Sequence, residues 1–224
     1  MLEIEAFRDI PVTESPDKRQ IRKDELRDLM HRERLSLAKG ERPEVDGGYY
    51  LQFGVFMGFT LNILAKERSE VTWHGFDSFE GLPCDWDLGG KFCKADKWKI
   101  ANPPKVEDNV VLVKGWYKDT IPEFAESMTG NAAFIDVDCD VYESARAVLF
   151  GFNEKIRAGT IIRFDELCDW RELGWHKRPG AGSRYTTWRD HEWKALNEWV
   201  TECGRVVEPL TRSSHMSGTV LVTK

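Results

Sequence analysis

A membrane-length hydrophobic run is missing: no apolar stretch reaches the roughly 18 residues a spanning helix requires. The start of the chain is acidic and broken, with no basic stretch ahead of an apolar one, so no secretory signal is expected. Cysteine is sparse. Cys84, Cys93, Cys139, Cys168 and Cys203 are odd in number and never spaced C-x-x-C. That pattern favours neither a zinc site nor a disulfide framework, and a reducing cytoplasm is the expected compartment. Positive charge is not in excess either. A formal net charge of −6 gives no electrostatic case for nucleic acid or an anionic membrane as partner. Internal repeats and low-complexity blocks are absent. What is present is core material: nine Trp, twelve Phe and a 41% hydrophobic fraction in 224 residues, enough for one α/β domain.

The pattern divides the chain into an N-terminal helical leader, residues 1–45, and a domain, residues 46–224. Residues 1–17 read as irregular, broken by Pro11 and Pro16. Ile21, Leu26, Leu29, Met30 and Leu35 recur at helical spacing within a charged segment, which predicts an amphipathic helix over 17–37. Strand and helix patterns then alternate. Strands are expected at 49–53, 71–77, 110–113, 132–137 and 160–164. Helices are expected at 59–66, 121–128, 142–157 and 191–203, with Ala158-Gly159 closing the third. Two β-rich runs, 205–209 and 219–223, end the chain with no helix between them and must pair antiparallel. The expected fold is therefore α/β and Rossmann-like, a mainly parallel seven-stranded sheet with a C-terminal antiparallel hairpin and helices on both faces.

Chemistry-bearing residues fall at the strand ends. Gln52-Phe-Gly54-Val-Phe-Met-Gly58-Phe-Thr60 follows the first strand, where glycines let backbone approach a ligand and open a helix. A tight turn needing glycine is the plain alternative. Asp77-Ser78 closes the second strand, at the distance where a carboxylate accepts from both ribose hydroxyls of a nucleoside; an ordinary helix cap competes with that reading. Gly115-Trp116 closes the third, where an aromatic can flank an adenine ring or simply pack. The fourth ends in Asp136-Val-Asp138-Cys-Asp140-Val-Tyr142-Glu143, and the fifth in Phe164-Asp165-Glu166. Clustered carboxylates at neighbouring strand ends repel unless they share a cation or proton, so Asp138 and Asp165 are candidate Mg²⁺ ligands. Helix N-terminal acids are the alternative, which suits Asp140 and Glu143 better than Asp138. The connection 168–190 carries Trp170, Trp175, His176, Arg178, Arg184, Tyr185 and Trp188, and reads as a substrate wall or lid, or as a dimer contact.

Four strings in this order resemble the macrocin O-methyltransferase family (TylF/MycF type): Phe53-Gly-Val-Phe-Met-Gly58, Gly75-Phe-Asp-Ser-Phe-Glu-Gly-Leu-Pro83, Gly115-Trp-Tyr-Lys-Asp-Thr-Ile-Pro122 and Val137-Asp-Cys-Asp-Val-Tyr-Glu-Ser144. The resemblance runs from residue 49 to the C-terminus. It implies a class I methyltransferase fold, S-adenosylmethionine as donor and Mg²⁺-assisted methylation of a small-molecule hydroxyl, often on a natural-product sugar. On this resemblance Gln52, Gly54, Gly58 and Thr60 line the methionine end of the cofactor, and Asp77 with Ser78 holds the ribose. Gly115 and Trp116 border the adenine, and Asp138 sits against both cofactor and metal. The metal set is Asp138, Asp165 and Glu166. Two positions depart from the family pattern: Gln52 stands where an acid is common, and Glu166 where a second Asp is common. Leaders of this kind support dimerisation or substrate binding in the family, so a homodimer is a candidate assembly.

An alcohol must lose a proton as it is methylated, which calls for a base, a metal or both. Asp138 and Asp165 are catalytic candidates through the metal. Among His176, His191 and His215, which follow the fifth strand, His215 is the candidate base, while His31 and His74 read as structural. Two other classes use the same turn and acid: a nicotinamide-dependent oxidoreductase, which the lack of full G-x-G-x-x-G spacing disfavours, and a cofactor-binding module without catalysis.

Overall fold

The computed structural model describes residues 1–13, 48–175, 185–213 and 216–224. The expected helix 17–37, and His31, His176, Arg178, Arg184 and His215, lie outside them. The strands are β1 (Val12–Thr13), β2 (Tyr49–Phe53), β3 (Trp73–Asp77), β4 (Trp86–Asp87), β5 (Phe92–Cys93), β6 (Val110–Lys114), β7 (Ala132–Val137), β8 (Ile161–Phe164), β9 (Val207–Ser213) and β10 (Gly218–Val222). The helices are α1 (Phe59–Glu67), α2 (Tyr117–Ser127), α3 (Tyr142–Gly151) and α4 (Glu192–Glu202). No helix among the described residues is long and apolar enough to cross a membrane.

One eight-stranded sheet runs β1-β9-β10-β8-β7-β2-β3-β6. β6, β3, β2, β7 and β8 are mutually parallel, and β10 lies antiparallel between β8 and β9. These are the seven expected strands; β1 adds a two-residue edge, parallel to β9. β7 is buried at every position, and its near-continuous apolar run is the mark of a parallel strand covered on both faces. Alternate residues supply two cores. Tyr50, Trp73 and Phe134 pack with Leu61, Leu64 and Ala65 of α1 on one face. Leu51, Phe53, Phe76 and Ile135 pack with Ile121 of α2, Leu149 of α3 and Trp199 of α4 on the other. Helices on both faces follow from this alternation.

Three local expectations need revision. The helix expected over 142–157 ends at Gly151, and a short 3-10 turn at Asn153–Lys155 follows. Gly159 is thus no helix cap; its N–H donates to the Val222 carbonyl at 2.8 Å and ties the loop to β10. Residues 1–13 are irregular only in part. A 3-10 turn at Ile4–Phe7 seats Phe7 wholly buried in the main core, against Trp170 and Trp193. Finally, the described part of the aromatic connection is core rather than cavity wall. Trp170, Tyr185 and Trp188 are buried, Trp170 stacks on Trp175, and none of the described residues of 168–190 borders the cavity described below. High aromatic content signalled burial correctly but not what would be buried against it.

Candidate active site

Strand order reverses between β2 and β7, and ligands in open α/β sheets bind at the carboxyl ends of the strands beside such a reversal. Here the parallel ladder continues past the strand ends and sets five loops side by side. Asp165 N–H donates to Val137 O (3.0 Å), Asp138 N–H to Phe53 O (2.9 Å), Gly54 N–H to Phe76 O (3.0 Å) and Gly115 N–H to Asp77 O (3.0 Å). Each of these strand exits is held in register by its neighbour. Together they border a cavity of about 790 Å³, within the range of small-molecule sites.

Gly54 sits where these loops converge. Its φ is +94°, and a Cβ there would stand 1.8 Å from the Asp138 carbonyl oxygen. Only glycine lets the β2 exit pass so close to the β7 exit. Gln52, also buried on the cavity wall, donates from Nε2 to Gly54 O at 2.9 Å, a bond a carboxylate could not make; its Oε1 has no partner among the described residues. The departure from an acid at this position is therefore part of how the turn is braced. Gly58, with φ +71°, caps α1 beside Pro104 and does not border the cavity, whereas Thr60 does.

Asp77 organises the adjoining strand exit. Its Oδ2 accepts from Val55 N–H and Phe56 N–H, both at 2.8 Å, and Oδ1 accepts from Phe79 N–H at 2.7 Å. A carboxylate offers about four acceptor positions, so Asp77 pins the glycine turn and keeps capacity for a ligand. Ser78 Oγ accepts from Glu80 N–H and donates to Gly81 O, which turns the chain after β3. Gly115 and Trp116 border the same space.

At the other end stand the acids. One ligand atom from each of Asp138, Asp165 and Glu166 lies within 4.8 Å of the others. Arg163 of β8 pairs with Asp165, just past the end of the same strand, at 2.6 Å and with Asp136 of the neighbouring β7 at 3.1 Å. Asp140 borders the cavity with φ +64°. Burial, then the charges of Asp138 and Asp165, push the Asp140 carboxyl well above the usual range. Burial, then Asp165 and Asp140, do the same to Glu166, whose Oε2 is buried without a partner among the described residues. Mutual repulsion around an unpartnered buried oxygen is what a hard divalent cation relieves, so the residues present fit one.

Sequence reasoning missed two contributors. The segment between β3 and β6 supplies a wall: Leu82, Pro83, Trp86 and Trp98 border the cavity, with Phe56 edge-on to Trp98 at 5.3 Å. Its length and two tryptophans were a signal that could have found it. Glu192, at the head of α4, is fully buried and accepts from Glu166 N–H at 3.0 Å. No local pattern marks it. His191, one residue before, is half-buried and bonds the Asp87 carbonyl at 3.2 Å, so it braces the wall from outside the cavity.

A family model described as a methyltransferase domain matches residues 51–167, over half of the chain. No curated protein gives a significant match. Among solved structures, the calicheamicin methyltransferase CalS11 is similar with a TM-score of 0.59 at 20% identity, over 89% of this chain and 80% of that one. The O-methyltransferase NovP follows with 0.58 at 17% identity, over 89% and 81%. The MycE methyltransferase from the mycinamycin biosynthetic pathway, in complex with Mg and SAH, gives 0.50 at 12% identity, over 88% of this chain and 49% of that one. These likenesses are of fold. The matched segment spans the glycine turn, Asp77, Gly115 and both acidic strand ends, which sets the oxidoreductase alternative aside. The chain belongs to this methyltransferase-domain family and is an S-adenosylmethionine-dependent methyltransferase.

Proposed function

We propose that this enzyme transfers the methyl group to a hydroxyl of a small molecule, a natural-product sugar being the favoured class, with a divalent cation held by Asp138, Asp165 and Glu166. The carrying observation is the placement of these three carboxylates, their ligand atoms within 4.8 Å of one another, in the same cavity as the glycine turn and Asp77. Relatives in fold support the class of acceptor: CalS11 is described as a TDP-rhamnose 3'-O-methyltransferase in calicheamicin biosynthesis, and NovP as an O-methyltransferase.

The residues divide the work. Asp77 offers its remaining acceptor capacity to the ribose hydroxyls, with Ser78 shaping the adjoining turn. Gln52 Oε1, buried on the cavity wall, suits the α-ammonium of the methionine moiety, while Gly54 and Thr60 line that end and Gly58 sets the head of α1. Gly115 and Trp116 border the adenine. Methyl transfer forms a C–O bond as the C–S bond breaks, in line, and the acceptor's proton must leave. Asp138 and Asp165 would act on that proton through the cation they hold, and His215, outside the described residues, remains the candidate base. A cation held by the three carboxylates supplies the positive charge that lowers the cost of ionising the hydroxyl.

Titration calorimetry with S-adenosylhomocysteine tests the cofactor half: micromolar binding is expected, and no binding overturns the reading. EDTA tests the metal half on a panel of sugar hydroxyl acceptors. It should abolish turnover while leaving cofactor-product affinity nearly unchanged; undiminished turnover removes the cation from the mechanism.

A further inference from the structure

We infer that Glu192 is a positioning residue for the cation site: through its bond to the Glu166 backbone it fixes where the Glu166 carboxylate stands. The inference rests on the proposal that Asp138, Asp165 and Glu166 hold a divalent cation.

Glu192 is the first residue of α4, where an acid ordinarily faces solvent and complements the helix dipole. Here it is 0% exposed, and its Oε2 reaches across to accept the N–H of Glu166 at 3.0 Å. Its Oε1 is buried with no partner among the described residues. A buried carboxyl with an unpartnered oxygen is a costly way to start a helix, so helix stability alone does not account for it. Glu192 is not within the group whose ligand atoms converge, Asp138, Asp165 and Glu166. It stands behind Glu166, in the relation that outer hydrogen-bond partners bear to metal ligands, where their loss commonly weakens binding about 10–100-fold.

The approach of Glu192 is itself fixed. The segment leading into α4 is tied to the β4–β5 ribbon at three points: Thr187 Oγ1 donates to Asp87 O (2.6 Å), His191 Nε2 contacts the same carbonyl (3.2 Å), and Thr186 N–H donates to Leu88 O (3.3 Å). Trp86 of that ribbon borders the cavity and meets Tyr185 edge-on at 5.3 Å. The wall of the cavity and the Glu166 ligand are therefore joined through one short segment ending at Glu192.

The test separates reach from charge. Glu192→Gln keeps an oxygen at the same reach, whereas Glu192→Asp keeps the charge and falls one methylene short. Mn²⁺ binding to the whole chain is measured by calorimetry and by electron paramagnetic resonance, with S-adenosylhomocysteine affinity as the check on an intact fold. Glu192→Gln should bind Mn²⁺ within about threefold of the unaltered protein, and Glu192→Asp and Glu192→Ala at least tenfold more weakly. All three should keep cofactor-product affinity within about twofold. Folded Asp and Ala variants with unchanged Mn²⁺ affinity overturn the inference, as does a folded Gln variant that loses it. Failure of the unaltered protein to bind Mn²⁺ overturns the cation site itself, a separate result that takes this inference with it.

Discussion

Asp77 and Gly54 show how one residue type can be required twice over. The three N–H groups that Asp77 accepts belong to the glycine turn and to the loop after β3. Asp77→Ala strands them and removes the proposed ribose acceptor together. S-adenosylhomocysteine affinity should fall by more than tenfold in calorimetry, whereas Asp138→Ala should leave it within a few fold. Gly54→Ala meets both a positive φ and the Asp138 carbonyl at 1.8 Å. Strain and overpacking of this kind cost about 1–3 kcal/mol each, so urea denaturation should show a loss of at least about 2 kcal/mol. Both residues were legible because a glycine or acid directly after an apolar run is a local signal. Glu192 was not, because its partner lies far away in sequence.

Elements behave by what covers them. β3 carries His74 on the face shared with Phe76, its ring between Tyr49 at 5.4 Å and Phe124 at 4.9 Å. Burial lowers the His74 pKa below its ordinary 6.5. A depressed folded value means the neutral form is favoured on folding. The stability this confers is present above about pH 6.5 and is lost as pH falls through the lower folded value. Burial acts on His191 in the same direction. His74→Phe should therefore narrow the drop in Tm between about pH 7 and pH 5, measured by scanning calorimetry; an unchanged drop would place the acid sensitivity elsewhere. At this scale periodicity located every strand of the seven, while α3 stopped at Gly151, short of its apolar stripe, because the chain turns there into the 3-10 segment.

Across the whole molecule, distant segments close on one another. Arg212 Nε of β9 donates to the Phe7 carbonyl at 3.0 Å, β1 pairs with β9, and Gly218 of β10 faces the Phe7 ring. The first residues of the chain thus complete the core beside the terminal hairpin. Phe7→Ala should cost about 3–5 kcal/mol in urea denaturation, the range for a buried aromatic, while leaving cofactor-product affinity intact. A near-neutral effect would mean the N-terminal segment is not part of the cooperative unit. The aromatic connection after β8 belongs here too. Trp170 and Trp175 stack beneath Phe7 and Arg212, so residues that looked like a substrate wall serve the closure of the core.

Sequence alone determined the alternation of strand and helix, the antiparallel ending, and the positions of Gly54, Asp77, Gly115, Asp138 and Asp165 at strand exits. Each is a property of residues close together in the chain, where sterics and periodicity act directly. Tertiary structure alone decided that the walls come from Trp86 and Trp98, that Gln52 braces the turn, and that Glu192 stands behind Glu166. Those depend on which surfaces meet when the sheet is covered, and a buried carboxylate or tryptophan carries no local mark of the partner it will find.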